Sequence, residues 1–494
     1  MKLNDLFYFY KNLNMRRSFS FWILLYFSFS GLLSCEKTAQ NPPNFVFILV
    51  DDLGWTDLGC YGSSFYETPN LDRFASENLR FSNAYAAASI CSPTRAAIMT
   101  GQHPVRVDIT DWIPGLDPKN RPLLGPQDRN ELPLEEVTLA EYMKKEGYKT
   151  FFAGKWHLGK EDFYPEEQGF QINKGGHDKG TPPGGYYVPY KNPKLSDGPE
   201  GEYLTDRLTD ESIAFLEENK DSSFFLFLSF YTVHTPIQAN KRHLSKFETK
   251  AKNLNIDTSS LKAPEGDGMT LTEQIRPDYA SMVYAMDENV GRLLSQLEKL
   301  GLDENTVVIF TSDNGGLTTL PPEYKIPPTS VRPLRAGKGW LYEGGIRIPL
   351  IMKIPGSTEK GVSDVAVVSQ DLFPTILSLA NISPTSQSTI DGKDLSPLLN
   401  GAEHFKNDTL YWHFPHYHGS NWKPGAAIRA GDWKLIEFYE NEKIELYNLN
   451  EDIGETTDLA EQYPEKLLEL RQSLHAWQEK MGAKFPAKNP DFIK

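Results

Sequence analysis

Four short apolar runs, each followed by a small set of acids, a lysine or a histidine, constrain this chain more than any other feature. Phe45-Val46-Phe47-Ile48-Leu49-Val50 leads into Asp51-Asp52, and Lys149 to Phe152 into Lys155 and His157. Phe224 to Phe230 leads into His234, and Val307 to Phe310 into Asp313-Asn314. Apolar runs of strand length without polar alternation suit a sheet covered on both faces. Helical patterns lie between them. Val283, Met286, Val290, Leu293, Leu297 and Leu300 keep one face at helical spacing, and Gly301 stops the helix. Thr138 to Glu146 and Leu204 to Asn219 read the same way. Strands alternating with helices predict an α/β fold, a large, mostly parallel sheet flanked by helices. Ligands of such sheets collect at the carboxyl ends of strands. The four polar ends should therefore meet at one edge.

The chain of 494 residues has ample material for a large core. Its net charge of -15 argues against a nucleic acid partner, whose phosphates demand a basic face. An anionic substrate stays open, because a few local cations outweigh a distant net charge. Residues 1–35 read as an export segment, with Met15-Arg16-Arg17 before an apolar stretch from Phe19 to Leu33. That stretch is interrupted by serines and short for a spanning helix, which needs roughly 20 apolar residues. Leu32-Leu33-Ser34-Cys35 resembles a bacterial lipobox. The resemblance implies lipidation at Cys35, a membrane anchor, and a periplasmic or outer-membrane, cell-surface location. An ordinary signal peptide with a chance cysteine is the alternative. Residues 36–43 form a polar tether. Three cysteines rule out a disulfide framework in an exported chain. Cys60 is expected to be a small buried hydrophobe, with a Cys60–Cys91 disulfide as the competing reading.

The Gly-, Pro- and Tyr-rich stretch Gly175 to Asp197 reads as a surface loop, and Asn240 to Pro277 as a partly charged insertion. From about Ser383 the character shifts. Ala427 to Ile436 followed by Lys443 to Asn448 looks like a hairpin, and Pro464 to Met481 like an amphipathic final helix. The expected division is a catalytic domain over residues 44–385 and a smaller α+β subdomain with an antiparallel sheet over 386–494. There are no internal repeats.

Asp51-Asp52 and Asp313-Asn314 together offer three carboxylates and an amide oxygen, a hard-oxygen set suited to calcium rather than zinc. Cys91 stands before Ser92-Pro93, where proline suits the first turn of a helix that stops at Gly101. A nucleophile there faces unpaired N–H groups and the positive end of the helix dipole, which favour an anion. Trp412 to His418 is rich in histidine but fits no standard zinc spacing. It reads as an aromatic strand edge near the domain junction.

The run Cys91-Ser92-Pro93-Thr94-Arg95-Ala96-Ala97-Ile98-Met99-Thr100-Gly101 resembles the signature of type I, formylglycine-dependent sulfatases of the alkaline phosphatase superfamily. Gly154-Lys155-Trp156-His157-Leu158-Gly159 and Gly337 to Gly345 resemble two further blocks of that family. The resemblance runs from Asn44 to about Trp477. It implies an alkaline phosphatase-like sulfatase fold and conversion of Cys91 by a formylglycine-generating maturation enzyme into 3-oxoalanine, an aldehyde whose hydrate attacks sulfate esters. It also implies Ca2+ held by Asp51, Asp52, Asp313 and Asn314 together with residue 91. Arg95 would hold the hydrate and the carboxylates, and Lys155 a sulfate oxygen. His157 would bond the nucleophile, while His234 and Lys338 compete for the role of general acid. Trp112, His177 and His416 are candidates for contact with the sugar. The expected substrate is a sulfated carbohydrate, entered from its end, from ulvan, carrageenan or glycosaminoglycan. The competing readings are a phosphonate monoester or phosphodiester hydrolase sharing the Cys-x-Pro-x-Arg signature, and a non-catalytic glycan-binding lipoprotein.

Overall fold

The structure is a computed structural model that describes residues 42–493, apart from 116–117, 119, 255–260, 325, 387, 403–404 and 406–408. The export segment, Cys35 and the tether through residue 41 lie outside the described residues.

In chain order the main elements are β1 (Asn44–Val50), β2 (Leu79–Phe81), α1 (Cys91–Thr100), α2 (Leu139–Lys145), β3 (Lys149–Gly154) and β4 (Ile172–Lys174). Then follow α3 (Leu204–Asn219), β5 (Phe224–Ser229), α4 (Pro277–Lys299), β6 (Thr306–Ser312), β7 (Leu350–Lys353), β8 (Gly361–Ser363) and α5 (Leu372–Leu379). The strands form an eight-stranded sheet in the order β8-β2-β7-β6-β1-β5-β3-β4. Pairing is parallel from β6 through β4, and β7 alone runs against its neighbours.

The continuous apolarity of β1 has a direct cause, since both its faces are covered. Val46, Ile48 and Val50 pack in one core with residues of α3 and α4. Phe45, Phe47 and Leu49 pack in the other with residues of α1, α2 and α5. Phe47 of β1, Phe227 of β5 and Phe152 of β3 are register partners across three strands and stack, with ring centroids 4.6 and 5.6 Å apart. Such cross-strand aromatic pairs fix the alignment of the strands, and with it the height at which each strand delivers its polar end. Gly154 at the end of β3 has φ +107, and a Cβ there would lie 1.8 Å from the carbonyl oxygen of Ser229. Only glycine permits that close turn into Lys155.

The carboxyl-terminal part adds a four-stranded antiparallel sheet, β9 (Thr409–Phe414), β10 (Gly425–Ala430), β11 (Trp433–Phe438) and β12 (Ile444–Asn448), and the helix α6 (Pro464–Met481). Here the side chains alternate. Ala426, Ile428, Leu435 and Leu446 pack with Leu470 and Leu474 of α6. Trp412, Phe414, Ala427 and Ile436 pack with Tyr85, Ile90 and Trp340 of the larger part. The expected hairpin is thus the middle of a four-stranded sheet, and the Trp412–His418 stretch carries its edge strand and the loop beyond. Cys60 is half-buried rather than buried, and both Cys60 and Cys91 are free thiols.

One fully buried ion cluster joins the two parts. Lys434 of β11 lies 2.9 Å from Glu343 and 2.8 Å from Glu455, all three without exposed surface. Arg347 and the Tyr85 hydroxyl hold the other oxygen of Glu343. Removing one member of such a cluster leaves an uncompensated buried charge. Lys434→Met should therefore lower unfolding stability by about 3–5 kcal/mol, read from urea denaturation; a loss under about 1 kcal/mol would mean the cluster does not hold the subdomain.

Candidate active site

β1, β3, β5 and β6 end at the same edge of the sheet and deliver Asp51-Asp52, Lys155 with His157, His234, and Asp313-Asn314 around the amino terminus of α1. Cys91 is the first residue of that helix, all ten residues of which are buried. Its Sγ lies 3.5 Å from Asp51 and 3.8 Å from Asp52, and Lys338 Nζ stands 3.4 Å away.

Three buried carboxylates meet three buried cations. Lys155 Nζ donates to both oxygens of Asp51 at 2.9 and 2.7 Å. Lys338 Nζ lies 2.7 and 2.8 Å from the Asp52 oxygens. Arg95 contacts Asp313 Oδ2 through Nε at 2.9 Å and Nη2 at 2.8 Å. Its Nη1 donates to the Lys155 carbonyl and to Ser229 Oγ, both at 2.7 Å. The other Asp313 oxygen accepts the Asp52 amide at 3.1 Å. Asp52 and His157 both occupy the left-handed backbone region, φ 59 and φ 60. Non-glycine residues seldom adopt it, and it persists where surrounding contacts over-determine it.

Electrostatics set the protonation of the site. Burial, reinforced by Asp313 and Asp52 and opposed by Lys155 and Arg95, pushes the Asp51 carboxyl up to about 8. Burial would raise Asp52 too, but Lys338, His234 and Lys155 outweigh it and hold it low. Burial drives the Cys91 thiol up, against Lys155 and Lys338, so an unmodified residue 91 stays a protonated thiol and a weak nucleophile. Burial would lower Lys338, but Asp52 outweighs it and keeps the lysine charged. His157 falls well below the imidazole range, chiefly through burial and Lys155. His234 falls to about 3, through burial and Lys338.

The histidine tautomers follow from their partners. His157 Nε2 faces the Ile113 carbonyl at 2.7 Å and must donate, which leaves Nδ1 as a buried acceptor with no hydrogen-bond partner. His234 Nδ1 faces the Thr235 carbonyl at 2.8 Å, which leaves its Nε2 lone pair 3.7 Å from Asp52.

Asp51, Asp52, Cys91 and His234 each present an atom within 4.8 Å of the others, a grouping able to hold a metal ion. Asn314 adds an amide oxygen that is buried and unpartnered, while its Nδ2 donates to Asp52 at 2.8 Å. Unpaired buried oxygens are rare, and this one lies on an oxygen-rich set of the kind calcium takes. The residues fit the ion.

A cavity of about 650 Å³ opens over Cys91, walled by His157, His234, Lys338 and Trp112 among others. Lys155, expected to grip a sulfate oxygen, is fully buried and donates to Asp51, in keeping with the need of a buried carboxyl group for a partner. The sequence expectations for the cavity walls need two corrections. His177 is buried beneath the wall, and its neighbours Asp178 and Lys179 line the cavity instead. His416 is also buried. Its Nε2 pairs with Thr110 Oγ1 at 2.9 Å, close to Asp111 and Asp128. It therefore braces the loop that carries Trp112, and His418 takes the place at the wall. Sequence reasoning also missed Ser229, whose only signal was its position as the polar last residue of an apolar strand.

A family model described as Sulfatase matches residues 43–382. A second, described as N-sulphoglucosamine sulphohydrolase, C-terminal, matches residues 336–482. A curated protein named Sulfatase from Formosa agariphila is 31% identical, over 93% of this chain and 94% of its own. Arylsulfatase A of Homo sapiens is 33% identical, over 89% of this chain and 88% of its own. Among solved structures, Ps i-CgsB in complex with k-i-k-neocarrahexaose superposes with a TM-score of 0.71 at 28% identity, covering 92% of this chain and 95% of that one. With a family model over more than half its length and relatives of this identity along nearly all of it, the chain belongs to the sulfatase family and is a sulfuric ester hydrolase.

Proposed function

We propose that this sulfatase removes sulfate esters from carbohydrate, with oligosaccharides of the carrageenan, ulvan or glycosaminoglycan type as substrates, and that it works as an exported lipoprotein. The observation that carries the reading is the convergence of Cys91, His157, His234 and Lys338 on the floor of one cavity. Its size lies within the range of sites that enclose a small ligand, and the exposed part of Trp112 on its wall offers a flat apolar face to a sugar ring. The carrageenan fragment bound by a solved relative is in keeping with this class.

Calcium is the ion this account assigns to Asp51, Asp52, Asp313, Asn314 and residue 91, and when bound it would polarise the sulfate oxygens and orient the nucleophile. The 3-oxoalanine made from Cys91 would supply, as its hydrate, the attacking hydroxyl. The remaining work falls to side chains already in place. His157 accepts a proton at Nδ1, its one free nitrogen. Arg95 fixes Asp313 and, through it, the Asp52 backbone. Lys155 donates to both oxygens of Asp51 and fixes the orientation of that carboxyl group.

Lys338 and His234 face the leaving oxygen. Lys338 retains its proton, whereas His234 in its neutral form offers only a lone pair at Nε2. Lys338 is therefore assigned to stabilise the charge that builds on the departing alcohol. The reaction consumes one water and yields the sugar hydroxyl and inorganic sulfate.

Two outcomes test this. Protein matured at Cys91 should turn over an aryl sulfate faster than a phosphodiester under the same conditions, and the reverse order would overturn the sulfatase reading in favour of the phosphonate-hydrolase branch. Chelation with EGTA should abolish sulfate release and added calcium restore it. Asn314→Ala should raise the calcium concentration needed by about tenfold or more. Release that ignores both chelation and the substitution would remove calcium from the account.

A further inference from the structure

The cavity over Cys91 does not end at Lys338. His234, Lys338 and His418 line it and also line a second cavity of about 550 Å³ that reaches Asp52. These three residues form the waist where the two cavities meet.

Both cavities mix apolar and polar walls. The first combines Trp112 with the charged Glu131, Lys160, Asp178 and Lys179. The second sets Leu317, Leu320, Tyr324 and Ile326 beside Arg276 and Ser420. Tyr324 and Ile326 are 57% and 42% exposed, large apolar groups facing solvent beside a cleft, an arrangement that marks a binding surface. The rim is held in place, because Arg276 Nη1 donates to the Ile326 carbonyl at 3.1 Å and its Nε to Asp278 at 3.0 Å. At the waist, the Ser420 amide donates to His418 Nδ1 at 3.2 Å. A backbone N–H can only donate, so neutral His418 carries its proton on Nε2 and offers a donor there. Gly339 (φ +85) makes this approach possible, since a Cβ would stand 2.1 Å from His418 Nδ1.

Resting on the carbohydrate sulfatase reading, we propose that the second cavity is a second sugar-binding arm, stacked on Tyr324. The sulfated unit then sits at the waist with chain running out on both sides, and sulfate is removed from units inside an oligosaccharide. The end-on entry expected from sequence would need a site closed beyond the sulfated sugar, whereas here a second cavity adjoins at Lys338 and His418.

The test uses the matured enzyme with three kinds of ester: carrageenan, ulvan and glycosaminoglycan oligosaccharides sulfated on an internal unit, the same units sulfated at the chain end, and an aryl sulfate. Sulfate release is followed by ion chromatography and the position lost by mass spectrometry. Within the sugar class that is cleaved, internal sulfate should leave at least as fast as terminal sulfate. Tyr324→Ala should lower kcat/KM for the internal ester about tenfold more than for the terminal one, through KM rather than kcat. Ile326→Ser should act in the same direction, and both positions are exposed enough to leave the fold intact. Release confined to terminal units, or an equal effect of Tyr324→Ala on both esters, would overturn the second arm alone. Aryl sulfate release without release from any sugar would overturn the carbohydrate reading beneath it. Silence on all three would overturn the assignment of Cys91.

Discussion

Three buried acid–cation pairs, Asp51 with Lys155, Asp52 with Lys338 and Asp313 with Arg95, hold the rest of the site in place. Carboxylates with almost no access to water are costly unless paired and hydrogen-bonded. Here each pair joins segments far apart in the chain, so satisfying the charges also brings together the ends of β1, β3 and β6, the first turn of α1 and the turn around Lys338. The left-handed backbone at Asp52 is held by the Asp313 oxygen that accepts its amide, and His157 is anchored separately through the Ile113 carbonyl. With the acids paired off, the helix amino terminus and the exposed side of Lys338 face the cavity, a setting that suits an anionic ester even in a chain of strong net negative charge.

The carboxyl-terminal sheet is part of this arrangement rather than an appendage. Lys434 and Glu455 clamp Glu343, a few residues beyond Lys338, and Trp340 Nε1 donates to the Ser420 carbonyl at 2.9 Å. The turn that presents Lys338 to the cavity is therefore gripped from the second sheet. That sheet also supplies His418 to the waist between the two cavities, and His416 to the brace under the Trp112 loop.

What could be read from sequence follows from which forces leave a local trace. A strand covered on both faces must be apolar throughout, so β1, β5 and β6 were visible as runs, and the polar residues after them were visible as their ends. The helix at Cys91 was visible through Ser92-Pro93 and Gly101. Burial depth left no such trace. Lys155 and Lys338 look alike in sequence, yet one lies sealed under Asp51 and the other borders open space. His416 and His418 stand two residues apart in one aromatic stretch, and only contacts from Thr110 and Ser420 separate a bracing role from one at the wall. The Lys434–Glu343 pair spans 91 residues and shows in no motif or periodicity.

The account stands or falls on residue 91. The most direct measurement is the mass of the peptide that carries it, taken from protein produced with a formylglycine-generating enzyme, together with sulfate release by the same sample. The expected result is the aldehyde mass at residue 91, sulfate release in proportion to the aldehyde fraction, and background activity for Cys91→Ala. Full sulfate release from a sample in which residue 91 is entirely an unmodified thiol would contradict it.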